Sequence, residues 1–163
     1  MTGIDNSITS LEQYSGFPGK GSYILLIELR EEQTIAVGSL KTIRFPAGYY
    51  AYIGSAMGGF KARLGRHLKG EKKLRWHIDY LLLTAAISDI ILCQTEDRAE
   101  CVIARALSRR FVSVPGFGSS DCKCRSHLFF TPLESEVKSL VMSTINHLGI
   151  ATKLVVNQSV IAG

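Results

Sequence analysis

The first half of the chain alternates short apolar runs with polar turns, a pattern typical of β-strands. Residues 23–29 (YILLIEL) and 34–45 (TIAVGSLKTIRF) are rich in Ile, Leu, Val and Thr, and the polar segment 30–33 between them predicts a hairpin. Residues 46–48 (PAG) predict a turn into a third strand at 49–55. Together the three strands predict an antiparallel meander.

Further along the chain, the apolar positions follow helical spacing. Phe60, Leu64 and Leu68 recur every four residues and predict the buried stripe of a helix that ends at Gly70. The other predicted elements are helices at 74–83, 95–110 and 134–148, strands at 87–93 and 127–130, a loop at 114–121, and an edge strand or tail at 152–156. Because neither a repeat nor a linker interrupts them, they predict one α+β domain, in which helices flank a small antiparallel sheet. This domain covers residues 21–163, after a loosely ordered lead-in at 1–20.

The composition fits a folded protein without a membrane span. A chain of 163 residues with 46% hydrophobic residues can build its own core, so folding requires neither a disulfide nor a metal. No apolar run approaches the roughly 18 residues that a span needs, and the chain does not begin with a basic segment followed by an apolar one. Four unevenly spaced cysteines do not suggest a disulfide framework, so we expect a cytoplasmic protein.

Positive charge is concentrated in residues 60–75, called the basic patch below. This window holds seven lysines and arginines against one acid, Glu71, in a chain whose formal net charge is +5. Such a patch attracts polyanions, of which nucleic acid is the commonest. A solvated helix face is the alternative that charge alone leaves open.

Two polar residues lie at the edge of the apolar stripe on the first predicted helix. Arg63 and His67 are four residues apart, so they share a face and can point into one cleft. Glu100 lies in the same way at the edge of the third predicted helix, although an ion pair with Arg98 or Arg105 is an alternative role. An arginine, an imidazole and a carboxylate suit metal-assisted phosphodiester hydrolysis.

Two tyrosine motifs precede these residues. Tyr23 stands in Gly-Ser-Tyr, Tyr52 begins Tyr-Ile-Gly, and Arg63 follows Tyr52 by eleven residues. Residues 21–130 resemble the GIY-YIG nuclease superfamily, and within it the Uri-type endonucleases of archaea and bacteria. The resemblance rests on this order of motifs and on the segments FPAGYYAYIGSAMGG, KKLRWHIDYLL and PGFGSSDCKCRSHLF. The 28 residues between the two tyrosines exceed the spacing in compact members of that superfamily and predict an inserted hairpin at 30–48.

The resemblance implies a divalent-metal-dependent endonuclease that hydrolyses phosphodiester bonds. In this interpretation Glu100 holds one Mg²⁺ or Mn²⁺ ion and Arg63 neutralises phosphate charge. Tyr23 acts as the base, with His67 as its partner or substitute, and Tyr52 completes the catalytic set. The expected partner is DNA, including branched or flapped forms. RNA is an alternative to DNA as the partner. Two alternative functions are a non-catalytic nucleic-acid-binding module with the same fold and a zinc-dependent interaction domain. The oligomeric state is left open.

Basic and hydroxyl side chains outside the catalytic set are predicted to contact phosphates. Some belong to the basic patch, and others lie in or after a glycine-rich loop whose backbone amides can face a phosphate. The predicted nucleic-acid-binding residues are Lys61, Arg66, Lys69, Lys72, Lys73, Ser119, Ser120, Lys123 and Arg125.

A second cluster carries residue types that bind zinc. Cys122, Cys124 and His127 follow a Cys-x-Cys-x-x-His pattern, and Cys101, Cys93 or His77 could supply a fourth ligand. Zinc hairpins usually place about two to four residues between their cysteines, so the Cys-x-Cys spacing argues against zinc. We therefore expect Mg²⁺ or Mn²⁺ rather than Zn²⁺. The sequence assigns no role to His77 or Asp79.

Overall fold

The chain folds around a central β-sheet in the computed structural model, which describes residues 8–10, 19–95, 97–120 and 122–156. The strands are β1 (Ile8–Ser10), β2 (Gly21–Leu29), β3 (Gln33–Ala36), β4 (Thr42–Phe45), β5 (Gly48–Ala56), β6 (Ala86–Gln94), β7 (Val112–Ser113), β8 (Leu128–Thr131) and β9 (Thr152–Val156). The helices are α1 (Phe60–Leu68), α2 (His77–Leu81), α3 (Glu100–Leu107) and α4 (Glu134–His147). The predicted α+β class is confirmed.

Seven strands form the main sheet in the order β1-β9-β6-β2-β5-β8-β7. β1 and β9 are parallel, and the other neighbours in this sheet are antiparallel. β2 pairs along its length with β5 on one side and β6 on the other. Its side chains are buried almost throughout, as expected for a strand covered on both faces.

Successive side chains of β2 point into two different cores, because side chains alternate between the faces of a strand. Tyr23 and Leu25 belong to a core that α1 and α2 cover. Ile24 and Leu26 belong to a second core that α3 and α4 cover. The sheet thus lies between two helical layers, and the candidate site residues are divided between them.

The predicted meander is wrong, whereas the predicted inserted hairpin is confirmed. β3 and β4 pair with each other as a separate two-stranded sheet, and β2 pairs directly with β5. The side chains of β3 alternate between exposed and half-buried positions, a pattern for a strand with one covered face. Such a strand cannot replace β5 beside the fully buried β2.

The helices differ from their predicted bounds at their ends. Leu68, predicted in the buried stripe of α1, is 38% exposed, and His67 takes the buried position after Phe60 and Leu64. α2 begins only at His77 because the Asp79 carboxylate accepts hydrogen bonds from backbone amides at the start of the helix. α3 begins at Glu100, later than the predicted start at residue 95.

The first and last described strands meet at one edge of the sheet. β1 lies within the predicted lead-in and pairs with β9, so residues 152–156 form a strand rather than a tail. The rest of the lead-in up to residue 18 lies outside the described residues. Within the described part of the chain, no helix has the length and apolar character needed to cross a membrane.

Candidate active site

A cleft with a volume of about 580 Å³ opens beside the last residues of β5. β8 pairs with β5 only from Tyr49 to Tyr52, and one further hydrogen bond joins the Ile53 amide to the His127 carbonyl. Gly54 and Ser55 follow and line the cleft. Because the neighbouring strand ends here, side chains from both helical layers can meet at the open edge of β5.

Three of the five predicted catalytic residues line this cleft, namely Tyr52, Arg63 and Glu100. They come from β5, α1 and α3 respectively, so the cleft combines the central sheet with both layers. The other two, Tyr23 and His67, are buried next to the cleft, with exposed fractions of 0% and 3%. The Tyr23 hydroxyl and His67 Nε2 are 2.5 Å apart and share a hydrogen bond.

The glycine of the Tyr-Ile-Gly motif makes room for Tyr23. Gly54 lies opposite Tyr23 in the register of β2 and β5. A Cβ atom added at Gly54 would overlap the ring and hydroxyl of Tyr23. Because Gly54 has no side chain, the Tyr23 hydroxyl can lie directly against it, and Gly54 lines the cleft.

Burial keeps the aromatic groups of the site uncharged at neutral pH. It raises the pKa of Tyr23 well above its ordinary value, an effect that the neighbouring Tyr52 phenol increases and Arg63 opposes. The pKa of Tyr52 is raised for the same reason, again against the effect of Arg63. Burial lowers the pKa of His67 to about 3, although the Asp79 carboxylate favours the charged form. Either tautomer of His67 leaves Nδ1 without a hydrogen-bond partner among the described residues.

Arg63 and Glu100 are the charged members of the predicted catalytic set. The Arg63 guanidinium carbon lies 4.5 Å from the centroid of the Trp76 ring, which holds the arginine by a cation–π contact. Glu100 is the first residue of α3, and its side chain is 18% exposed. Its carboxylate lies 3.6 Å from Arg98, so the ion pair considered as an alternative role is present as well.

Arg75, His77 and Arg98 are among the further residues that line the cleft, and the sequence motifs did not place them in the site. His77 Nδ1 accepts a hydrogen bond of 2.8 Å from the Gly118 amide, so Nε2 carries the proton of the neutral ring. Gly118 has a positive φ of 70°, and an added Cβ would press against the ring of Tyr52. The glycines of the loop at 114–121 are the sequence signal for this close approach.

Two residues predicted to contact phosphate, Arg66 and Lys72, are half-buried and already bonded to other groups of the protein. Arg66 donates two hydrogen bonds of 2.8 Å to the Asp79 carboxylate, which is fully buried. Burial alone would raise the pKa of Asp79, but the hydrogen bonds from Arg66 and two backbone amides outweigh it and lower this pKa to about 2. Lys72 Nζ donates to three carbonyl oxygens at the end of α1, those of Arg66, His67 and Lys69. Asp79, Arg66 and Lys72 therefore fix α1 to the segment that precedes α2.

The remaining predicted phosphate contacts lie on three different surfaces. Lys61, Lys69 and Lys73 are exposed in the basic patch, and Ser120 lines the cleft. Ser119 is buried, and its carbonyl accepts a hydrogen bond from the Cys122 amide. The exposed residues Lys123 and Arg125 line a separate groove of about 290 Å³ beside α3.

The residues with zinc-ligand chemistry are close together in space. The ligand atoms of Cys101, Cys122, Cys124 and His127 all lie within 4.8 Å of one another, and we call these residues the cysteine–histidine cluster. Of the fourth ligands considered from the sequence, Cys101 belongs to the cluster. Cys93 is buried in the core under α3 and α4. Cys101 lies on α3, so the fourth ligand comes from outside the segment that holds Cys122, Cys124 and His127.

The architecture and the cleft define an α+β protein with a candidate active site at the open edge of its central sheet. Residues 22–150 match the model of a family described as domain of unknown function DUF123, and the chain belongs to this family. No curated protein and no solved structure is significantly similar to it.

Proposed function

We propose that the protein is a divalent-metal-dependent endonuclease of the GIY-YIG superfamily and that its substrate is DNA. One observation carries the proposal: Tyr52, Arg63 and Glu100 meet in one cleft, next to the hydrogen-bonded pair Tyr23 and His67. These five residues also follow the order of the superfamily motifs along the chain. Membership in DUF123 is compatible with this assignment and does not by itself specify an activity.

Arg63 is the group best suited to neutralise charge on a phosphate in the cleft. A guanidinium stays protonated across the working pH range, and its contact with Trp76 restrains the side chain before substrate binds. Negative charge that gathers on phosphoryl oxygens in the transition state would meet a cation already in position. Loss of one such donor typically costs a factor of about 10² to 10³ in rate.

Tyr23 and His67 form the proton relay of the proposed reaction. When Nδ1 of His67 carries the ring proton, Nε2 accepts the hydrogen bond from the Tyr23 hydroxyl. The phenol oxygen can then take a proton from the attacking water while its own proton moves to Nε2. The resulting imidazolium would be stabilised by the Asp79 carboxylate, which already favours that form. Gly54 lines the cleft and lies against the Tyr23 hydroxyl, and a side chain at this position would overlap that hydroxyl.

Glu100 fits the role of ligand to a hard divalent cation. It is the sole acid among the described residues that line the cleft, and its side chain is partly exposed. Mg²⁺ and Mn²⁺ favour oxygen ligands, and Mg²⁺ in particular often binds through one carboxylate together with water and phosphate oxygens. When bound, such an ion polarises the phosphate and stabilises the leaving oxygen.

The charge distribution around the cleft supports a polyanionic substrate. Arg75 and Arg98 line the cleft together with Arg63. The exposed lysines of the basic patch extend this positive surface along α1 and the segment after it. A nucleic-acid backbone carries regularly spaced phosphates, so it can contact the cleft and the patch at the same time.

The proposal is tested by measuring single-turnover nicking of duplex, flapped and single-stranded DNA, and of RNA, with Mg²⁺ or Mn²⁺. Glu100→Gln should abolish cleavage and leave DNA affinity unchanged or slightly higher, because it removes the ion ligand and a negative charge near phosphate. Glu134→Gln is the matched control, since Glu134 is an exposed acid at the first position of α4. Its cleavage rate should equal that of the wild type.

Three results would overturn parts of the proposal. A wild-type protein that binds DNA but cuts none of these substrates with either ion would be a non-catalytic nucleic-acid-binding module. Cleavage of RNA alone would leave the reaction intact and change the substrate. Equal activity of Glu100→Gln and wild type would remove Glu100 from the site.

A further inference from the structure

We propose that the cysteine–histidine cluster binds one Zn²⁺ ion as a structural site that fixes α3 to the loop before β8. This site differs from the proposed Mg²⁺ or Mn²⁺ site in its residues, its ligand chemistry and its role. The inference goes beyond the proposed nuclease function, because zinc binding follows from the cluster whether or not the cleft cuts nucleic acid.

The spacing of the ligand atoms fits a tetrahedral zinc ion. With Zn–S and Zn–N bonds of about 2.3 and 2.0 Å, tetrahedral ligands lie roughly 3.5 to 3.8 Å apart. Cys122 Sγ and His127 Nε2 are already 3.5 Å apart. All four ligand atoms lie within 4.8 Å of one another, so a pair needs to close by at most about 1.3 Å.

The ligand set selects zinc over the hard ion proposed for the cleft. Thiolates and imidazole are the ligands that zinc prefers, whereas Mg²⁺ takes oxygen ligands. Three cysteines and one histidine complete a tetrahedron without water, and closed sets of this kind are typical of structural sites. A disulfide would use only two of the three cysteines and leave the histidine without a role.

The cluster joins two segments that border the cleft, the start of α3 and the stretch before β8. Cys101 follows Glu100 in the first turn of α3, and Cys122 and Cys124 lie in the loop before β8. His127 lines the cleft, and its carbonyl accepts the hydrogen bond from the Ile53 amide of β5. A metal held by these four residues would therefore fix the start of α3, and with it Glu100, against the edge of β5.

The test is metal analysis of the full-length protein, purified from zinc-containing medium without chelator. We expect one zinc per chain in the wild type and a loss to background in Cys122→Ser and His127→Ala. Cys93→Ala is the matched control, because Cys93 is a buried cysteine outside the cluster, and it should retain one zinc. Glu100→Gln should also retain zinc, which separates this site from the proposed catalytic ion.

A second measurement keeps the inference testable if the ligand variants fail to fold. Wild-type protein in which Co²⁺ replaces zinc should show the strong visible absorption of tetrahedral cobalt with thiolate ligands. Protein that contains no zinc and gives no such absorption, protein with a disulfide within the cluster, or protein with an iron chromophore would each overturn the proposal. Zinc retained without any nuclease activity would support this site while removing the proposed function.

Discussion

The buried imidazole of His67 leads to a prediction about stability in mild acid. Its pKa is lowered from 6.5 to about 3, mainly by burial and further by the neighbouring cations Lys72, Arg63 and Arg66. In the unfolded chain the same imidazole regains its ordinary pKa and binds a proton as the pH falls below 6.5. The folded protein does not bind that proton until about pH 3. The contribution of the neutral His67 imidazole to the free energy of unfolding is therefore fully present above pH 6.5 and is lost progressively as the pH falls toward 3.

The size of the effect follows from proton linkage. For one group with a pKa of 6.5 in the unfolded chain, proton binding stabilises the unfolded state by about 2 kcal/mol when the pH falls from 7 to 5. The folded state is stabilised by almost nothing over this range, so the free energy of unfolding falls by that amount. This is a large share of the roughly 5 to 15 kcal/mol that stabilises a typical domain. Burial lowers the pKa of His77 too, and its contribution to the pH dependence of stability has the same sign. A variant at His67 alone isolates its share.

His67→Gln keeps a neutral hydrogen-bond acceptor for Tyr23 but does not titrate in this range. Urea unfolding at pH 7 and pH 5 should show that the wild type loses about 2 kcal/mol more than His67→Gln between the two conditions. His147→Gln is the control, since His147 is exposed at the end of α4, and it should behave as the wild type. An equal loss in wild type and His67→Gln would refute a buried, neutral imidazole.

Three further predictions concern the scaffold and the basic patch. Asp79→Asn should lower the free energy of unfolding in urea by about 3 kcal/mol, because it leaves the Arg66 guanidinium without its buried partner; a decrease below about 1 kcal/mol would contradict this. Gly54→Ala should lower the melting temperature and the cleavage rate together, because the added Cβ overlaps Tyr23. Gly65→Ala on α1 is the control: its added Cβ meets no neighbour, so it should stabilise the protein by up to about 1 kcal/mol. The third change reverses the charge of the exposed patch lysines Lys61, Lys69 and Lys73. In a plot of the logarithm of the DNA-binding constant against the logarithm of the salt concentration, the steepness should fall by roughly 0.9 for each phosphate of duplex DNA that the protein no longer neutralises. An unchanged slope would place the nucleic-acid surface elsewhere.

Local periodicity predicted most elements, because helices and strands repeat their buried positions over short distances. It did not predict strand pairing, which depends on residues far apart in the sequence. The decisive difference lay in the burial patterns of β2 and β3. β2 is apolar on both faces and needs a neighbour layer on each side, whereas β3 alternates and needs only one. That contrast favours the inserted hairpin over the meander.

The basic patch illustrates a second limit of sequence reasoning. Charge density indicates which segment attracts anions, but it does not indicate which side chains are already engaged. Arg66 and Asp79 are 13 residues apart and meet only because α1 packs beside the start of α2. Lys72 reaches back to the carbonyl groups that the end of α1 leaves without helical partners. Arg66 and Lys72 therefore hold α1, and with it Arg63 and His67, in place, and they do so without any ligand.

The cleft combines predicted and unpredicted residues for a similar physical reason. Tyr52, Arg63 and Glu100 lie on regular elements, so their order along the chain could be compared with a known pattern. Arg75, His77 and Arg98 reach the cleft from segments at or before the starts of α2 and α3, whose paths depend on tertiary contacts. The cysteine–histidine cluster combines both cases, because a helix supplies one ligand and a loop and the residue before β8 supply the others. Spacing rules for zinc hairpins describe ligands on one continuous segment. They do not apply to a site that the fold assembles from two separate segments.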